Sequence, residues 1–132
     1  MFEQDYIMRQ IKEMTAVIAR VFFGRKTYKS FPMLEEAERQ KAFALIEQIQ
    51  NGEPKKAVEE LDRLTDNNTK ENLIIGLEFF SQLSDMSEQI LLKDGYSLVN
   101  ARRDFTKFAK KFGLEQMTDL YFGENESEEV SE

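Results

Sequence analysis

Ile7, Ile11, Met14, Ile18, Val21 and Phe22 recur at spacings of three and four. That spacing lays one apolar stripe along several turns of helix over residues 1–24. Phe2, Tyr6, Met8, Val17 and Phe23 widen the stripe beyond a narrow seam. A helix this apolar must be covered, either by the rest of its own chain or by a partner. The six residues of the stripe are therefore the first candidate interaction surface. Glu3, Asp5, Arg9, Lys12, Glu13 and Arg20 interrupt the run. They exclude a spanning helix, which needs about 20 mostly apolar residues, and they do not fit a signal peptide.

The chain has 132 residues, enough for a single domain with one core. It holds no Cys and no His. Disulfides, thiolate nucleophiles and the commonest zinc ligands are thereby excluded, as is the commonest general base. The net charge of −7 argues against duplex nucleic acid as the main partner. The charge is uneven, however: residues 1–31 carry six Lys/Arg against three Asp/Glu, and residues 124–132 carry five Glu and no base. The acidic balance and the lack of Cys set a cytoplasmic location as the expectation.

The pattern reads as helices throughout, with no strand. Gly24 follows the first helix as a C-terminal glycine. The segment 25–33 is short, basic and aromatic, and Pro32 interrupts it. A second helix spans 34–50, with Leu34, Ala37, Ala42, Leu45, Ile46 and Ile49 as its apolar set. Asn51-Gly52 ends it, and Pro54 opens a third helix carrying Ala57, Val58, Leu61 and Leu64. So short a link folds the two helices back as a hairpin. Thr69 caps a fourth helix through Leu73, Leu77, Phe80 and Leu83. Ile74, Ile75 and Phe79 make that helix apolar on more than one side, so it is expected to be the most buried. A break is expected at 84–88, where Asp85 and Glu88 have capping-box spacing. Ser97 caps a fifth helix with Leu98, Ala101, Phe105, Phe108, Ala109 and Phe112 facing inward. Met117, Leu120, Tyr121 and Phe122 form a last short helix on the body. Residues 124–132, with one apolar side chain, Val130, are expected to be disordered.

Two resemblances bear on the class. Residues 38–68 resemble a divergent tetratricopeptide-type hairpin, with Gly52 at the turn, Ala57 at the small position and Leu61 and Leu64 following. Lys41 and Leu45 depart from that pattern, and no second unit follows, so the likeness implies one hairpin inside a bundle rather than an array. The opening Gln4-Asp5-Tyr6-Ile7-Met8-Arg9 resembles a family of small bacterial helical proteins of unknown function. That resemblance implies an all-α fold and a bacterial origin, and it brings no activity.

Candidate chemistry is sparse. The carboxylate groups Glu35/Glu36/Glu38 and Glu59/Glu60/Asp62 have hard-cation or acid–base potential, but they lie opposite the apolar stripes, where charge is ordinarily solvated. No glycine-rich phosphate loop, nucleophile elbow or EF-hand spacing is present. No catalytic residue, metal site or cofactor is therefore assigned. Arg102, Arg103, Lys107, Lys110 and Lys111 form a basic patch against Asp104. The bland reading, a solvated face offset by Glu-rich neighbours, is favoured over phosphate binding. Arg39, Lys41 and Gln48 are candidate groove residues of the hairpin.

The expectation is an all-α single-domain bundle of five or six helices. The helical domain covers 1–123, divided as 1–24, 34–68 and 69–123, followed by the acidic tail. The function expected is non-catalytic protein–protein interaction, with a homo-oligomer formed through the first helix. The alternative is a regulator at a membrane surface or nucleic acid, acting through segments 25–29 and 102–111.

Overall fold

A computed structural model describes residues 2–24, 36–120 and 122, with side chains described from Tyr6 onward. The described residues form helices α1 (Phe2–Phe23), α2 (Glu36–Gln50), α3 (Pro54–Leu64), α4 (Lys70–Ser84), α5 (Glu88–Lys93) and α6 (Leu98–Lys111). A further helical stretch runs over 115–120, and among the described residues there is no strand. The chain is thus the all-α bundle its periodicity implies. The basic-aromatic segment 25–33, Leu34, Tyr121 and the acidic residues 124–132 lie outside the described residues.

Helix α4 is the axis of the fold. Nine of its fifteen residues are buried, from Leu73 through Phe80 and at Leu83. Helices α1, α2 and α3 all pack on it, α1 most extensively, and α1 also meets α6. Its core residues explain why: Ile11, Met14 and Ile18 are essentially inaccessible, and Ile7 and Met8 are buried beside them. Each such side chain contributes roughly 1.5–3 kcal/mol by leaving water.

An aromatic chain runs through the centre. Phe80 stands edge-on to Phe79 and to Phe105, with ring centroids 5.2 Å apart in each case. Phe105 in turn meets Phe122 at 6.3 Å and 88°. Phe108 packs on Phe80 at 5.6 Å and on Phe112 at 4.9 Å. Edge-to-face and tilted pairs of this kind place positive ring edges on negative ring faces. Gly76 makes the last part of the cluster possible, because a side chain there would collide with the Phe108 ring.

Local signals set the helix ends. Thr69 accepts from the Asn72 N–H at 3.1 Å and Ser97 from the Asn100 N–H at 3.2 Å, each as an N-cap. The break after Ser84 is present, but its cap differs from the expectation. Ser87, not Asp85, caps α5, accepting from the Ile90 N–H at 3.4 Å. Asp85 is instead the C-cap of α4 and accepts from the Lys12 ammonium of α1 at 2.5 Å. A cation there also suits the negative end of the α4 dipole. In the last stretch Phe122 is buried and Met117 half-buried, whereas Leu120 is exposed, contrary to its expected inward role. Ala37 of α2 is likewise exposed rather than part of that helix's apolar face.

Candidate functional site

The stripe of α1 divides in two. Ile7, Ile11, Met14 and Ile18 face α4 and belong to the chain's own core. As an intermolecular surface those four residues are corrected: burial in cis leaves them nothing to offer a partner. Val21 and Phe22 remain 66% and 48% exposed. Phe22 has the same helical phase as the buried residues, yet in the last turn of α1 it is Phe23 that packs against the core. Inclined helices touch over only a few turns, whereas sequence periodicity continues regardless.

A second exposed set lies beside the buried face of α1. Tyr6, Val17 and Val21 are exposed on one flank of the helix, beside the buried Gln10 and Met14, while Arg9, Glu13 and Arg20 make the side turned away from the core. The exposed flank is apolar and continues the buried face.

Three of the five residues of the basic patch are paired to carboxylates. Lys111 sits on Asp62 of α3, reaching its carboxylate at 2.5 Å and donating to its carbonyl at 2.9 Å. Lys110 lies 3.8 Å from Glu115, and Arg103 lies 3.7 Å from Asp104. Among the described residues only Arg102 and Lys107 of the five are without an ion pair. A surface already paired to carboxylates has less charge to release counterions from phosphate.

Two of the depressions among the described residues bear on function. A shallow groove of about 740 Å³ runs along the α2–α3 hairpin, lined by Lys41, Gln48, Lys56, Glu59 and Arg63 among others. Lys41 and Gln48 line it, and Arg39 does not. Across α3, a cleft of about 290 Å³ opens between α3 and α6. Its floor is Leu61, Phe80 and Phe108, and its rim carries Lys55, Asp62, Arg103, Asp104 and Lys107.

Tyr96 anchors one end of this cleft. Its hydroxyl donates to Asp104 Oδ2 at 2.8 Å, and its ring is 2% exposed. Burial, and then the Asp104 carboxylate it bonds, raise its pKa well above the ordinary tyrosine value. It stays a neutral donor, which suits a structural hydrogen bond and does not make a base. Nearby, Asp94 accepts from the Lys55 backbone N–H at 3.0 Å. Glu53 makes no side-chain cap at the start of α3, so Asp94 takes that role from across the sequence. Sequence reading missed both Tyr96 and Asp94, because each pairing depends on tertiary contact.

The carboxylates do not gather into a metal centre. Glu60 pairs with Arg63 and Asp62 with Lys111, and Glu35 lies outside the described residues. Among the described residues no group of three acidic side chains could hold an ion, and no helix is long and apolar enough to cross a membrane.

Comparison with known proteins gives no significant match to a curated protein or to a solved structure. A family model matches residues 1–113, which takes in every helix from α1 to α6. The expected kinship with an uncharacterised family is therefore correct, and the chain belongs to DUF6483, a family of unknown function.

Proposed function

We propose that this is a non-catalytic cytoplasmic interaction protein of bacterial origin that self-associates through the exposed apolar flank of α1. The observation that carries this reading is the exposure of Tyr6, Val17 and Val21 on a helix whose adjoining face is sealed into the core. Two copies crossing antiparallel at Val17 cover these three side chains on each helix by the same contact, twice by symmetry. An apolar centre of this kind is the usual anatomy of a specific interface. The groove of the tetratricopeptide-like hairpin, with Lys41 and Gln48, then stays open for a second partner.

Sedimentation velocity over a concentration series tests the reading. The wild type is expected to dimerise, and Val17→Asp and Val21→Asp to be monomeric. A wild type that is monomeric at the highest concentration, or a Val21→Asp variant that still dimerises, overturns it.

A further inference from the structure

The α3–α6 cleft has an unbalanced rim. Asp62 and Asp104 are both engaged, by Lys111 and by Tyr96 and Arg103. Among the described residues neither Lys55 nor Lys107, on opposite walls, forms an ion pair, and Glu59 is the remaining carboxylate of the lining. Between the two lysines the floor of Leu61, Phe80 and Phe108 is apolar. The complementary occupant is therefore a short acidic stretch with one aliphatic side chain.

The chain carries such a stretch. Residues 124–132 read Glu-Asn-Glu-Ser-Glu-Glu-Val-Ser-Glu, in which Val130 is the one apolar residue. They lie outside both the described residues and the family match. Their point of departure is fixed: Phe122 is buried against Phe105, at 6.3 Å, and Phe105 lies 5.2 Å from Phe80 in the cleft floor. Eight residues separate Phe122 from Val130 and span up to about 26 Å when extended. Val130 is therefore within reach of the floor, and the short tether holds it at an effective concentration on the order of millimolar.

We propose that the cleft between α3 and α6 binds segment 124–132 of the same chain, with Val130 over Phe80 and Phe108 and the Glu128 and Glu129 carboxylates at Lys55 and Lys107. The contact is weak and reversible, because the floor is small and Glu59 repels the segment. It is also screened by salt.

The chain's lack of cysteine allows a clean test. A spin label on Ser131→Cys is expected to broaden the amide signals of Lys55, Asn100 and Lys107 selectively in the full chain. Raised salt removes that broadening, as does Lys107→Glu or Val130→Asp. The second variant lies on the segment itself, so it reports on docking even where the first perturbs the fold. Broadening that is absent, that centres on Arg102 and Lys110, or that survives Val130→Asp overturns the proposal. So does broadening seen only when spin-labelled chains are mixed with separate isotope-labelled chains, which places the segment on a neighbour. None of these signals depends on the α1 interface.

Discussion

Gly76 of α4 lies directly beneath the Phe108 ring of α6, so close that a β-carbon at position 76 would overlap it. A mid-helix glycine costs about 1 kcal/mol relative to alanine, yet here it is what leaves room for the Phe108 ring against α4.

Gly76→Ala is therefore expected to destabilise the protein, against its helix propensity. Overpacking a core costs typically about 1–3 kcal/mol, which outweighs the propensity gain. Urea unfolding checks the sign. Phe108→Leu should recover part of the loss when combined with Gly76→Ala, although alone it weakens the Phe80–Phe108–Phe112 cluster. A double-mutant cycle with no coupling would contradict the contact.

Asp94→Ala should cost about 1 kcal/mol, the usual worth of an N-cap, through loss of its bond to the Lys55 N–H. Asp94→Asn keeps an acceptor oxygen and should cost less. Hydrogen exchange at the start of α3 should rise in the alanine variant before it rises elsewhere.

Tyr96→Phe removes the hydroxyl that donates to Asp104 and should cost about 1 kcal/mol at neutral pH. The pH dependence has a definite sign. The folded state holds the Tyr96 proton above the ordinary tyrosine value of 10.0, because of burial and then the Asp104 charge. The unfolded chain releases that proton once pH passes 10, so the stability is whole below that point and falls as pH rises beyond it. The slope from this one proton approaches about 1.4 kcal/mol per pH unit. Denaturant melts on both sides of that pH should show the fall in the wild type and a shallower fall in Tyr96→Phe.

Ile11→Asp and Ile18→Asp should each abolish folding, since each buries an unpaired carboxylate where the native side chain has no solvent access. Val21→Asp, on an exposed position, should leave the melting curve nearly unchanged and act only on association. Circular dichroism melts run beside sedimentation separate the two effects.

The helices were legible because the sequence signals act locally. Thr69 and Ser97 cap where they stand, and the all-round apolar run Leu73–Phe80 can only be central. The stripe of α1 was legible as a stripe but not as two surfaces. Ile18 and Phe22 have the same phase, and only the path of the neighbouring helices buries one and exposes the other. The cap at Ser87 lost to Asp85 in the reading because Asp85 shows capping-box spacing, whereas in the fold its carboxylate is held by Lys12, seventy-three residues away. The α3–α6 cleft had no signal at all: Lys55, Tyr96 and Lys107 are brought together only by the packing of helices distant in sequence.

The cap that Asp94 lends to α3 has a consequence for the order of events as the chain is made. Residues 36–64 can pair as a hairpin once they are synthesised, but the Lys55 N–H in the first turn of α3 lacks its side-chain cap until thirty further residues have followed and delivered the carboxylate. The turn after α5 therefore acts as a late clasp: it ties the start of the hairpin to a segment made well after it.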